Sequence, residues 1–375
     1  MKTKVNSIPS LSRRDFLKLA GLGLGTLALN PINQVLPLPE FPEGDLLARN
    51  CTGGKVTIRS APDVNSSIVK EVYEDTVLSW LREVPAINPD YNNPFNQRWV
   101  ETPEGYVYSP NLQPVRNMPN TPMSGLSGEY AGGFWAEVTV PYVNLIMEGN
   151  SEWASRLTND GYTPRFYYSQ VLWIDQIKAG DGGQTLYRIN ERYGNPGDLF
   201  WADGAAFRPI AEEEVAPLSP DVAPDEKIIK IDVTRQTLGC YESGREVFFC
   251  RVSTGALFNY LGERVDIWET PLGEHSTHHK YVSLRMAAGT LETGYEEPGV
   301  GWTTFIVGSG VAIHSVHWHN DFGKPRSHGC INCRPQDAKW IFRWTTPACS
   351  LAQGEVGWTD WKSGSTHVIV TERKY

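Results

Sequence analysis

Glycine and proline punctuate this chain so closely that long helices have little room. There are 35 Gly and 26 Pro among its 375 residues, and between them run short stretches in which apolar and polar residues alternate. Alternation with a period of two puts every second side chain on one face of a strand. The expectation is therefore a mostly β protein built from short strands and tight turns. The length suits two or three domains, each able to bury its own core. A net charge of −9, with Lys and Arg gathered into no long run, argues against nucleic acid as a partner.

The N-terminus reads differently. Ser12-Arg13-Arg14-Asp15-Phe16-Leu17-Lys18 leads directly into an apolar stretch from Leu19 to Leu29. Paired arginines ahead of a weakly hydrophobic core match the twin-arginine export pattern, and that core is shorter than the ~20 residues that cross a bilayer. Residues 1–40 are expected to be an export signal and linker. They would deliver the protein to the cell envelope, at the outer face of the cytoplasmic membrane or in the wall. No small-x-small cleavage site is evident near Asn30, and an uncleaved signal would leave a membrane tether. Cys51, Cys240, Cys250, Cys330, Cys333 and Cys349 fit neither a disulfide scaffold nor a zinc ribbon.

Beyond the Pro-rich linker come short strand patterns at Val56-Thr57-Ile58-Arg59, Ile68 to Tyr73, Thr76 to Leu78, Arg98 to Glu101 and Gly105 to Tyr108. The opening Ile58-Arg59-Ser60, the Trp99-Val100 strand and the late Gly105-Tyr106-Val107 resemble a bacterial SH3-like domain over residues 45–116. That resemblance implies a small barrel and, by the company such modules keep, contact with the cell wall. Residues 125–215 carry further strand patterns at Trp135 to Val140, Phe166 to Tyr168, Leu172 to Ile174, Tyr187 to Ile189 and Leu199 to Ala202, read as a second β module, SH3-like or otherwise. The acidic, Pro-containing stretch from Glu212 to Glu226 reads as a linker.

The last region, 225–375, opens with Ile228 to Val233, which the alternation pairs with Val247 to Val252 across the Ser243-Gly244 turn. Strands are expected at Val282 to Met286, Thr304 to Val307, Val311 to His314 and Thr366 to Thr371. One clear helix follows Pro335: Asp337 complements its dipole, Trp340, Ile341 and Trp344 form its apolar face, and Pro347 stops it.

Chemistry concentrates in Ile313-His314-Ser315, a connection from Val316 to Arg326, and Ser327-His328-Gly329-Cys330-Ile331-Asn332. If the connection folds back, a histidine at a strand end meets a cysteine. An adjacent imidazole takes the thiol proton and raises the thiolate fraction. Gly329 lets the backbone approach closely, so the N–H groups of Gly329 and Cys330 are candidates to face an oxyanion.

His, a loop, then Ser/Thr-His-Gly-Cys-x-Asn is the pattern of the L,D-transpeptidases with a YkuD-type catalytic domain, and this chain resembles that family over residues 225–373. Gln236-Thr237-Leu238, Thr270-Pro271-Leu272-Gly273, Gly294-Tyr295 and Trp302 precede His314 in family-like order. The Val316 to Arg326 loop is slightly shorter than the commonest family spacing. The resemblance implies an all-β catalytic fold of packed sheets with the site at one edge. It makes Cys330 the nucleophile and His314 the acid/base, with Ser315 orienting the imidazole through its backbone carbonyl, His328 supporting the thiolate or oxyanion, and Asn332 bracing the loop. It sets Tyr295 and Met286 where the family places a mobile flap over the substrate, and Trp318, on the connecting loop, is a further candidate for substrate binding. The partner implied is a peptidoglycan stem peptide: Cys330 attacks an L-centre carbonyl of a tetrapeptide stem, releases D-alanine, and passes the acyl group to an amine of another stem as a 3→3 crosslink. Carbapenems are the implied inhibitors.

Three rivals share these residues. Water as acceptor makes an L,D-carboxypeptidase. A wall cysteine endopeptidase carries SH3-like modules too, but its Cys precedes its His. A non-catalytic wall-binding protein would not need an intact Cys, His and Gly set. Neither metal nor cofactor is expected: His314, His317 and His319, like His275, His278 and His279, lack the spacing of a zinc motif, and read as loop polar groups or substrate contacts. Cys333 reads as packing, since no βαβ redox pattern surrounds Cys330-x-x-Cys333. A disulfide between those two, or oxidation of Cys330, would switch the nucleophile off.

Overall fold

The computed structural model describes residues 37–89, 96–258, 262–288, 295–357 and 364–373. The arginine-led N-terminal segment and Gly294 lie outside these. The described chain is mostly β, in six sheets. Two α-helices are present among the described residues, and neither is long and apolar enough to cross a membrane.

Residues 47–115 form a five-stranded sheet in the order Ile68–Val72, Val56–Arg59, Gly105–Tyr108, Arg98–Thr102, Arg82–Pro85, and a three-stranded sheet with Leu47–Asn50 at its centre. Alternation works as expected: Val56 and Ile58 are buried while Thr57 and Arg59 are half-buried, and Val72, Val100, Val107 and Leu112 join their core. Gly105 is obligatory. Its φ is +141°, and a Cβ there would stand 2.4 Å from the Arg59 carbonyl oxygen.

Residues 134–209 form a six-stranded sheet with Thr185–Asn190 and Val171–Ala179 at its middle. They also hold α1 (Glu152–Asn159), so the expectation of one helix falls short. Ser151 caps it, accepting from the Ala154 N–H at 3.2 Å, and Glu152 sits in the first turn. Trp153 anchors the helix against Phe166 and Phe200.

The C-terminal region packs two five-stranded sheets face to face. One runs Arg245–Arg251, Thr237–Glu242, Lys227–Asp232, His367–Thr371, Gly273–Ser276; the other runs Ile331–Cys333, Val311–Ser315, Tyr295–Val307, His279–Ala288, Glu355–Val356. The direct hairpin expected between 228–233 and 247–252 is not formed, because Thr237–Glu242 lies between them as the middle strand of a meander. Asp232 makes the extra turn: its carboxylate accepts the Thr234 and Arg235 N–H groups, and Gln236 takes φ +56°. Ile229, Ile231, Leu238, Val368 and Val370 meet Val282, Trp302, Ile306, Ile313 and Ile331 in the core.

The second helix, α2 (Pro335–Trp344), follows the edge strand Ile331–Cys333 and inserts Ala338, Ile341, Phe342 and Trp344 into that core. Its C-terminal carbonyls are capped by two buried lysines. Lys280 Nζ donates to the carbonyls of Phe342, Thr345 and Pro347, and Lys227 Nζ to that of Trp344. Positive charge at this end of a helix complements its dipole, although burial lowers both amines, Lys280 to about 7. The stretch 212–226 is not a free linker: Val215 is buried in the core, Glu214 binds Arg208 and Lys339, and Arg343 donates to the Ala216 carbonyl.

The middle sheet and the C-terminal sheets share this core. Trp135, Val171 and Ile210 belong to it. Strand Tyr295–Val307 makes room for them at two glycines, since a Cβ on Gly299 would meet Leu172 at 2.8 Å and one on Gly301 would meet Val171 at 2.8 Å.

Candidate active site

Parallel pairing of Val311–Ser315 with Ile331–Cys333 sets the geometry. His314 lies opposite Asn332 and Ile313 opposite Ile331. Cys330, two residues before Asn332, therefore opens the edge strand on the face that His314 occupies. Cys333 pairs with Ser315 and is buried in the core beside Cys250, three residues on and so turned away from Cys330. The disulfide considered between Cys330 and Cys333 is thus incompatible with the strand.

A set of turns presents Cys330. Ser327 Oγ accepts the Gly329 N–H at 3.1 Å and donates to the Cys330 carbonyl at 2.5 Å. Thr270 Oγ1 donates to the Gly329 carbonyl at 2.7 Å and accepts the Gly255 N–H at 2.9 Å. Gly329 holds φ +117°, a region that L side chains rarely adopt. Segment 253–256 flanks the loop, with Ser253 and Asn332 exchanging both backbone hydrogen bonds. Because Gly329 has committed its N–H to Ser327, it is not an oxyanion donor in this conformation, contrary to expectation. The Cys330 N–H has no protein acceptor among the described residues.

His314 is 3% exposed, and its Nδ1 lies 2.9 Å from the Ser315 carbonyl oxygen. A carbonyl accepts only, so Nδ1 carries the proton and Nε2 keeps its lone pair. Ser315 is itself fixed by its hydroxyl, which donates to Gly301 O at 2.8 Å. Burial pulls His314 down to about 4, partly offset by the Ser315 carbonyl. Burial pushes the Cys330 thiol up, opposed by the Ala312 N–H, and Sγ rests 3.8 Å from the Gly310 carbonyl oxygen. The resting pair is a neutral thiol and a neutral imidazole. That departs from the expected rise in thiolate fraction, because desolvation is the largest influence on each group and penalises the charged form of both.

Around Cys330 cluster Met286, Val300, Ala312, Tyr295 and Trp318, which brings together the three residues placed at the substrate by resemblance. Met286 and Tyr295 lie on the paired strands His279–Ala288 and Tyr295–Val307. The Trp318 ring is 6.0 Å from that of His314. His328 is held between Trp268 at 4.4 Å and Tyr295 at 5.2 Å, as part of the cleft wall. Asn332 braces the loop: its side-chain amide meets His319 Nε2 at 3.0 Å, while His319 Nδ1 accepts the Asp321 N–H. Burial drives His319 to about 3, so a neutral ring accepting at Nδ1 must donate from Nε2. The amide end complementary to it is the oxygen Oδ1, which otherwise lacks a partner.

Glu297 was not singled out in the sequence, nor was the charged cluster behind it. It pairs with Met286 across the strands, so its side chain shares the cleft face, and its carboxylate lies 3.6 Å from His317 Nε2. Burial pushes it up to about 7, opposed by Arg49. His317 stacks on Tyr167 at 5.3 Å, and Arg49 donates to the His317 carbonyl, pairs with Asp75 at 2.7 Å and lies over Tyr167. Three stretches distant in sequence thus converge on the wall of the cleft. The one local signal was an acidic residue two positions after Tyr295, on the same face of the same strand.

Residues 226–369 match the family model of the YkuD L,D-transpeptidase catalytic domain. Solved structures similar to this chain include an Enterococcus faecium L,D-transpeptidase mutant (23% identity, TM-score 0.29, covering 39% of this chain and 50% of that one). Others are an L,D-transpeptidase from Mycobacterium smegmatis (19%, 0.30, 50% and 90%) and L,D-transpeptidase 3 from Mycobacterium tuberculosis in complex with a faropenem-derived adduct (16%, 0.30, 50% and 91%). The chain thus spans about half the length of the Enterococcus faecium protein. No curated protein matches it.

Proposed function

We propose that this chain is a peptidoglycan L,D-transpeptidase with Cys330 as nucleophile and His314 as general acid/base. The observation that carries this reading is the shared face of Cys330 and His314 on paired strands, with Nδ1 tied to the Ser315 carbonyl so that Nε2 is free to take a proton. As Sγ bonds to the L-centre carbonyl carbon of a tetrapeptide stem, the thiol proton passes to Nε2. The C–N bond to D-alanine then breaks, and the imidazolium returns that proton to the departing amine. An amine from a second stem attacks the thioester, His314 takes its proton, and the thiol is restored. The Cys330 N–H is the donor best placed for the oxyanion. A neutral resting pair suits this sequence, because proton transfer accompanies attack. The twin-arginine pattern supports a location outside the cytoplasmic membrane, and the SH3-like pattern of 45–116 supports contact with the wall.

The test is incubation of the full chain with a carbapenem and with a tetrapeptide stem, followed by mass spectrometry. A covalent adduct on Cys330, D-alanine release, and loss of both in Cys330→Ala with an unchanged melting temperature are expected. Release of D-alanine without crosslinked dimer would identify a carboxypeptidase. Release retained in Cys330→Ala would overturn the assignment.

A further inference from the structure

Glu297 puts an acidic group on a cleft face otherwise made of Met286, Tyr295, Val300, Ala312 and Trp318. Its side chain is 31% exposed, so a ligand can reach it. Its near partner is His317 Nε2, and that ring is neutral: burial and the Arg49 charge hold His317 well below the usual imidazole range. Arg49 does not pair with it either, being engaged by Asp75, Gln113 and the His317 carbonyl. Among the described residues no protein cation contacts this half-buried carboxylate, an arrangement that is costly in a protein that only needs to fold. Tyr295 senses both Cys330 and Glu297, which further raise its hydroxyl, already pushed up to about 12 by burial, so nucleophile and acid flank the same ring.

Resting on the transpeptidase reading, we infer that Glu297 is a specificity-determining residue that binds the side-chain ammonium of a stem peptide's diamino acid. The ammonium supplies the charge partner that the protein withholds, and a hydrogen bond between two charged groups is stronger than one between neutral groups. His317, stacked on Tyr167 and tethered by Arg49, holds the carboxylate in place from behind. The site therefore selects stems whose third residue carries a free cationic amine and disfavours those in which that amine is blocked.

The experiment uses the full chain carrying Cys330→Ala, so that ligands bind without turnover. The probes are a synthetic tetrapeptide stem with a free side-chain amine at its third residue and the same peptide N-acetylated there. Calorimetry is expected to show the free-amine peptide binding on the order of tenfold more tightly, the preference lost when Glu297→Gln is added and partly kept with Glu297→Asp. Equal binding of the two peptides to Cys330→Ala, or a preference that survives Glu297→Gln, would overturn the inference. The transpeptidase reading fails on a separate readout: absence of an acyl-enzyme and of D-alanine release when the unaltered chain meets the free-amine peptide.

Discussion

Acylation of Cys330 by a carbapenem should remain fast at a pH where an ordinary histidine base would be switched off. Burial, only partly offset by the hydrogen bond to the Ser315 carbonyl, brings His314 to about 4. At pH 5 such a group is about 90% in its neutral, proton-accepting form, whereas an imidazole titrating near 6.5 is about 3% neutral. The second-order acylation rate at pH 5 should therefore lie within about twofold of its value at pH 7.5, against a fall of about 30-fold for an unperturbed base. Stopped-flow mixing with a carbapenem, quenched for intact-mass measurement of the adduct, reads this rate across pH 4 to 8. Glu297 titrates about 7 in the same cleft, so the series is run in parallel with Glu297→Gln, where any limb belonging to that carboxyl disappears. A limb centred near 6.5 in both proteins would show that His314 is not desolvated when it acts, and the account of a neutral resting pair would fail.

Three further outcomes follow from buried charge. His314 refuses a proton that the unfolded chain accepts below about 6.5, so its contribution to stability is intact above that pH and is lost as pH falls toward 4, by about 3 kcal/mol; His319 acts in the same direction, and melting temperatures read between pH 6.5 and 4 should drop steeply. Glu297 has the opposite sign: its raised folded value favours the acid form, so stability is lost as pH rises from about 4.5 through about 7, and Glu297→Gln should melt higher than the parent at pH 8 and alike at pH 4. Arg285, its side chain 3% exposed, pairs with Glu191, Asp198 and Glu296; Glu296 keeps Arg156, but Arg285→Ala leaves Glu191 and Asp198 without a cation among the described residues and should cost about 3–5 kcal/mol in urea unfolding, and a loss under about 1 kcal/mol would mean that they are solvated.

What could be read from the sequence was what is local. Ser327 to Asn332 is a contiguous motif, and the strand that carries His314 is short and apolar, so the candidate cysteine and histidine were legible, whereas the three-residue edge strand Ile331–Cys333 was not. The helix α2, bracketed by Pro335 and Pro347, was legible too. The helix α1 escaped because eight residues carry little periodic signal, although Ser151 and Glu152 form an ordinary cap. The meander escaped because its turn relies on a non-glycine residue, Gln236, at positive φ, where composition gives no warning. The wall of the cleft was the least legible part. Arg49, Asp75, Tyr167, Glu297 and His317 come together only after three sheets have packed, and no spacing rule reaches across more than 260 residues of chain.

The two glycine notches in strand Tyr295–Val307 have a consequence for how such a chain can be divided. Val171 and Leu172 sit where Gly299 and Gly301 leave space, and the Val171 carbonyl accepts the Ser283 hydroxyl. Severed at residue 225, the reactive half would bare the grooved backbone at Gly299 and Gly301 to water and take from the Ser283 hydroxyl its carbonyl acceptor. The part that carries Cys330 is therefore not a portable cassette, because its upstream neighbour supplies one of its walls.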